Sequence, residues 1–191
     1  PAQAAAAFLA LPLSQRPPVD GSGNNGLQRW PYSSSYQYVT AAYSLDMRQG
    51  AILTVQSALT NHYTYNINDG PLGRRSQDEI TFPSNKVLMY DGFGRHAGKR
   101  MLWHAYQEVN QPLLFGDNSV RVMKTGDANL GFYPNIPTQD LPLRYNYVRR
   151  EWEPPARNGL ASELVTGFYA WTRAGLRGQD YAGQEVDSGN Q

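Results

Sequence analysis

The sequence predicts a β-rich α+β domain in which an antiparallel sheet accompanies a short N-terminal helix. Three observations carry that expectation. Short runs of aromatic and β-branched residues recur from Tyr36 onward, and Gly, Pro, Asn and Asp clusters punctuate them. Only one stretch, Ala2 to Leu13, is strongly apolar and rich in helix formers. Closely spaced strands favour antiparallel pairing, because parallel neighbours need long crossovers. A chain of 191 residues can bury a substantial core in one domain.

Residues 1–15 hold the apolar run AQAAAAFLALPL, which Pro12 and Pro17-Pro18 bring to a stop. It is shorter than the ~20 residues a bilayer crossing requires, and no basic residue precedes it. It reads equally as a short docking helix or as the end of a longer N-terminal segment. Membrane contact is expected only through such a segment. Residues 16–35 read as a linker loop. Gly21-Ser22-Gly23-Asn24-Asn25-Gly26 satisfies G-x-G-x-x-G. That pattern holds a dinucleotide only between a strand and a helix, and the flanking prolines leave neither.

A globular β-rich domain is expected over 36–174. Tyr36 to Tyr43 is aromatic with partial alternation, and Ala51 to Leu59 suits a strand or a short helix. His62 to Ile67 alternates and ends at the turn Asn68-Asp69-Gly70-Pro71. Strands follow at Glu79 to Phe82, Lys86 to Tyr90, Met101 to Tyr106, Leu113 to Phe115 and Ser119 to Lys124. Apolar runs on either side of Asp117-Asn118 predict a hairpin there. Two further strands are expected at Leu143 to Val148 and Leu164 to Trp171. Residues 175–191 offer few apolar anchors and read as a C-terminal surface tail.

Composition removes several functions. Seventeen basic and sixteen acidic residues leave a net charge of +1, without the clustered positive footprint that nucleic-acid binding needs. There is no cysteine, which excludes disulfides, thiol nucleophiles and cysteine zinc sites. His62, His96 and His104 form no HExxH or H-x-H pattern, and each reads better as a histidine satisfied by a neighbour. Neither a G-x-S-x-G elbow nor a phosphate loop is present. Carboxylates such as Asp91 and Glu108 keep a glycoside hydrolase open as a distant alternative, since sequence spacing does not fix their separation. Asp117, Asn118, Asp127 and Asn129 offer oxygen ligands on loops, so calcium is the one cofactor considered; Asp and Asn there are also plain turn formers.

Aromatic abundance is the most physical clue, with 12% Phe, Trp and Tyr. Trp30, Tyr36, Tyr38, Trp103, Trp152 and Trp171 are the candidate interface residues, because Tyr and Trp suit surfaces that are half apolar and half wet. Sugar stacking is the alternative use, and ordinary sheet packing the plainest.

Two phrases stand out: Phe82-Pro83-Ser84-Asn85-Lys86-Val87-Leu88-Met89-Tyr90-Asp91, and Gln111-Pro112-Leu113-Leu114-Phe115-Gly116-Asp117-Asn118-Ser119-Val120-Arg121-Val122. Thr125-Gly126-Asp127-Ala128-Asn129 follows, and near the end come Gly167-Phe168-Tyr169-Ala170-Trp171-Thr172-Arg173 and Gly175-Leu176-Arg177-Gly178. Over residues 78–180 this order resembles the pilin-like proteins abundant in planctomycete-type bacteria. Those carry a prepilin-type cleavage/methylation N-terminus and a C-terminal FADGSV-like motif, whose place Phe115 to Val120 takes. The motif's Asp-Gly is Asp117-Asn118 here, and His104 stands further from it than the family's histidine does. The resemblance implies a secreted or cell-surface, non-catalytic structural subunit, with an N-terminal helix packed on an antiparallel sheet. Its expected partners are further copies or other surface proteins, and a carbohydrate-binding β module, with a polysaccharide partner, is the alternative.

Overall fold

A computed structural model describes residues 36–42, 46–49, 52–55, 75–96, 101–131, 144–148, 155–159, 162–172 and 174–182. The expected N-terminal helix, the linker 16–35 and the strand His62 to Ile67 lie outside those residues. The described residues hold eight strands: β1 (Tyr36–Tyr38), β2 (Asp46–Gln49), β3 (Ile52–Val55), β4 (Val87–Asp91), β5 (Asn110–Phe115), β6 (Val120–Lys124), β7 (Arg144–Val148) and β8 (Ser162–Thr166). All pairing among them is antiparallel. A four-stranded sheet runs β1-β4-β5-β6, and β2-β3 and β7-β8 form two separate pairs. Helical structure among the described residues is confined to three-residue 3-10 turns. No described helix is long and apolar enough to cross a membrane.

Strand β5 shows why the sheet forms. Gln111, Leu113 and Phe115 are buried and alternate with Asn110, Pro112 and Leu114, the period-2 pattern of a sheet with two unlike faces. Its turn into β6 is fixed locally. Asn118 takes the left-handed conformation (φ 65°), and the Asp117 carboxylate accepts the Ser119 N–H at 2.9 Å and the Ser119 hydroxyl at 2.6 Å. A register shift between Val87 and Met89 marks a bulge in β4, which lets both Val87 and Tyr90 face inward.

Several expected strands are something else. Tyr36 to Tyr43 pairs only as far as Tyr38, then turns at Thr40–Ala42. Glu79 to Phe82 is no strand, because local polar bonding wins. Ser76 caps the turn Gln77–Glu79, with the Glu79 side chain accepting the Ser76 N–H at 2.8 Å, and Pro83 opens a second turn at once. Met101 to Tyr106 pairs only through the bridge Phe93–Trp103; turn bonds from Tyr106 N–H to the Trp103 carbonyl and from Val109 N–H to the Tyr106 carbonyl take the rest. Leu164 to Trp171 splits into the end of β8 and the turn Tyr169–Trp171.

The C-terminal segment is the largest correction. Gly175, Leu176, Asp180 and Tyr181 are buried, so the first part of the expected tail joins the core, with Arg177 and Ala182 exposed; residues 183–191 lie outside the described residues. With Phe168, Tyr169 and Trp171, Leu176 and Tyr181 cover the inner face of the sheet against Val87, Tyr90, Leu113 and Phe115. Each large apolar side chain so buried contributes about 1.5–3 kcal/mol, which outweighs the weak helix and strand preferences of this Gly-rich stretch. Backbone bonds from Asp180 N–H to the Asn85 carbonyl (2.9 Å) and from Asn129 N–H to the Asp180 carbonyl (2.8 Å) fasten it. Gly131 permits a close crossing, since a Cβ there would lie 2.7 Å from the Phe168 carbonyl oxygen. A second cluster joins Phe93, Trp103, Tyr106 and Val109 to Tyr147, Ala156 and Val165, with the Trp103 and Tyr147 rings stacked at 4.9 Å.

Candidate functional site

The outer face of the four-stranded sheet is the feature that core packing does not explain. Register places Tyr38 opposite Met89, Met89 opposite Leu114, and Leu114 opposite Val120, so one apolar row crosses all four strands. Pro112 and Val122 pair beside it. Val120 is 66% exposed, Val122 65% and Tyr38 60%, while Met89 and Leu114 are half-buried. An antiparallel sheet with one wet face ordinarily alternates apolar inward and polar outward. Here the inward residues Val87, Tyr90, Leu113 and Phe115 are apolar too, and among the described residues the segment 168–181 packs on that inner side. Contiguous exposed apolar patches are uncommon on soluble monomers.

Polar groups frame this face. At the β4 end, the buried Asp91 carboxylate lies 3.3 Å from Arg95 Nε and 3.4 Å from His96 Nε2. The Tyr36 hydroxyl is 3.4 Å from the same His96 nitrogen. Asp91 also accepts the Phe93 N–H at 3.1 Å, which makes it the anchor of the turn after β4. On the inner side of β6, the Arg121 guanidinium lies 3.5 Å above the Phe115 ring and donates to the Ser84 carbonyl.

The candidate interface residues divide sharply. Tyr36 and Tyr38 stand exposed on edge strand β1. Trp103, 1% exposed, and Trp171 are core residues, so their large rings serve packing and offer no docking surface. Trp30 and Trp152 lie outside the described residues. The four oxygen-ligand candidates do not converge. Asp117 and Asn118 form the β5-β6 turn, whereas Asp127 and Asn129 follow the far end of β6, a five-residue strand spanning about 17 Å. Asn129 commits its amide to the Gln179 carbonyl at 2.9 Å. The Ser119 hydroxyl and N–H hold the Asp117 carboxyl below its ordinary value, as the turn requires. Among the described residues no group of three or more His, Asp or Glu side chains gathers as metal ligands.

The histidines and acids likewise take structural places. His104 is buried between the Tyr90 and Trp103 rings, at 4.7 and 4.4 Å; His62 lies outside the described residues. Glu108 is exposed and pairs with Arg157 at 3.4 Å, whereas Asp91 is committed to Arg95 and His96. Sequence reasoning missed the network beside it. The Tyr106 hydroxyl donates to Glu163 at 2.9 Å and accepts the Arg157 N–H at 3.1 Å, while Arg157 bonds Glu163 at 2.8 Å. Burial, with the Glu163 charge, pushes the Tyr106 hydroxyl up to about 12. Burial also acts to raise Glu163, but bonds from Tyr106, Asn158 and Arg157 outweigh it and hold the carboxyl below its ordinary value. Only tertiary contact brings these residues together, and no local motif announces them.

No family model matches this chain, and neither a curated protein nor a solved structure matches it significantly. The fold and the surface together define, among the described residues, an antiparallel β-rich domain with an exposed apolar row on one sheet face.

Proposed function

We propose that this protein is a non-catalytic structural subunit of the cell exterior, pilin-like in kind, which assembles with further copies of itself through the outer face of its sheet. The observation that carries the reading is the apolar row Tyr38–Met89–Leu114–Val120 with Val122 beside it. Association that covers this row removes apolar area from water at about 25 cal/mol per Å². A net charge of +1 opposes contact between copies only weakly. The resemblance to planctomycete-type pilin-like proteins gains support from the Asp117-Asn118 turn. Asn118 holds the left-handed conformation that a glycine adopts most easily, so the replacement of Asp-Gly by Asp-Asn keeps the turn. The long apolar N-terminal helix of such a subunit is missing from this sequence, and on this reading the apolar run Ala4 to Leu13 is its trailing end.

Light scattering after size exclusion, with negative-stain microscopy, tests the proposal. Assembly is expected to grow with concentration, and Val120→Glu with Val122→Glu should return the protein to monomers while leaving its circular dichroism unchanged. A wild-type protein that stays monomeric at high concentration, or assemblies indifferent to both substitutions, would overturn it. The exposed rings of Tyr36 and Tyr38, two residues apart on one strand face, favour one second reading, a sugar platform. Retention on a polysaccharide gel that Tyr38→Ala abolishes would select it.

A further inference from the structure

We propose that Lys86 and Asp180 become joined by an intramolecular amide bond between Lys86 Nζ and Asp180 Cγ, making this pair a self-processing cross-link site. Lys86 precedes β4 and is 0% exposed; Asp180, in the segment that covers the inner sheet face, is 2% exposed. The lysine nitrogen stands 3.1 Å from Oδ2 and 3.4 Å from Oδ1. Both carboxyl oxygens are therefore in contact with the nitrogen, and the carbon between them is the electrophile the amine can attack once the carboxyl turns.

In water, an amine and a carboxylic acid remain a salt, because hydration stabilises both ions. Enclosure removes that stabilisation, and a dry pocket penalises the charged pair relative to neutral amine and neutral acid. Burial raises the proton affinity of the Asp180 carboxyl, against the opposing pull of the Lys86 ammonium. The fold also holds the two groups together, which replaces a bimolecular encounter with a positioned one.

The step balances without any outside reagent. One proton passes from the ammonium to the carboxylate, leaving a neutral amine beside a carboxylic acid. The nitrogen lone pair attacks Cγ after the carboxyl turns about its Cβ–Cγ bond. A C–N bond forms, the C–OH bond breaks, and the departing hydroxyl takes a second proton from nitrogen to leave as water. Two neighbours serve as positioning groups. The Val87 N–H donates to Oδ2 at 2.8 Å, where negative charge develops in the tetrahedral intermediate. The Thr172 side chain also hydrogen-bonds the Asp180 carboxyl.

A bond here closes a loop across 94 residues of sequence. In a chain without cysteine, it would fasten the covering segment to the sheet as a disulfide does elsewhere, and it would resist reduction. The inference is independent of what docks on the outer face.

Intact-mass spectrometry of the purified chain is the test. The expected mass falls short of the sequence mass by one water. Trypsin does not cut after an amidated lysine, so digestion should yield residues 76–95 joined to residues 178–191, with fragment ions placing the link at Lys86 and Asp180. Lys86→Arg and Asp180→Ala should each restore the full mass, and Asp180→Asn, which would lose ammonia instead, should still give a linked product. A wild-type chain at its full sequence mass overturns the proposal, as does a water loss that fragmentation places within one peptide. Both of those measurements are made on the wild-type protein, so they decide the matter even if a variant fails to fold.

Discussion

Leu176→Ala separates a structural C-terminal segment from a surface tail. Leu176 is 2% exposed and packs in the cluster that covers the inner sheet face, beside Phe168, Tyr169 and Trp171. Truncation removes the buried branched end of the side chain and leaves a cavity that the flanking turn cannot close easily. Ala174 (φ 59°) and Gly175 (φ 57°) both hold left-handed backbone there, which fixes the approach of the segment. Buried Leu→Ala changes cost about 2–5 kcal/mol. With a urea slope of about 1–3 kcal/mol per M, a loss of about 3 kcal/mol lowers the midpoint by roughly 1–3 M. Urea titration followed by both tryptophan fluorescence and far-UV circular dichroism measures it. The two probes should shift together, because the segment and the sheet share one core. A change within about 0.5 kcal/mol, the usual range for exposed positions, would refute the placement of residues 174–181 in that core.

Trp103→Ala should cost about 3–5 kcal/mol in the same titration, since its ring stacks on Tyr147 and meets Phe93 edge-on, whereas Tyr38→Ala should leave stability within about 0.5 kcal/mol and act on association instead. Asn118→Gly should be neutral or slightly stabilising, and Asn118→Val should destabilise by about 1–3 kcal/mol, because a β-branched residue fits poorly at φ 65°; thermal melts check both. The Glu163 carboxyl binds its proton less readily when folded than its ordinary 4.5 implies. Its ionised form therefore contributes stability that is complete above that value and is lost as the pH falls through the lowered folded one. Glu163→Gln should flatten that acid limb of the stability–pH curve, and an unchanged limb would show that the Tyr106–Glu163–Arg157 bonds do not form in solution.

The antiparallel hairpin was legible because its code is local. Leu-Leu-Phe, the Gly-Asp-Asn turn and Ser-Val-Arg-Val state both the strand period and the chain reversal within a dozen residues. Lys86 to Tyr90 was readable for the same reason. Expectation failed where partners lie far apart in the chain. Met101 to Tyr106 has strand composition, but its neighbours form turns and a separate cluster with Tyr147 and Val165, so little ladder remains to join. Glu79 to Phe82 carried a visible warning in the Ser76–Glu79 capping pattern, which the strand propensity of Ile80, Thr81 and Phe82 masked. Residues 175–191 read as unanchored because Gly, Gln and Asp make up much of them, and the burial of 174–181 depends on Lys86, Asn85 and Asn129. On the outer sheet face, Tyr36 and Tyr38 are visible as aromatics, but Val120 and Val122 look like core until register shows which way they face.

The four-stranded sheet is complete in sequence by Lys124, yet the aromatic residues that cover its inner face, Phe168, Tyr169, Trp171 and Tyr181, come later. A chain emerging from its N-terminal side therefore forms its hairpins early and keeps their greasy side wet until more than forty further residues have followed. Closure waits on contacts of long sequence separation, which form slowly. The sheet is thus paired before its inner face is fully packed, and the segment at 168–181 completes the core.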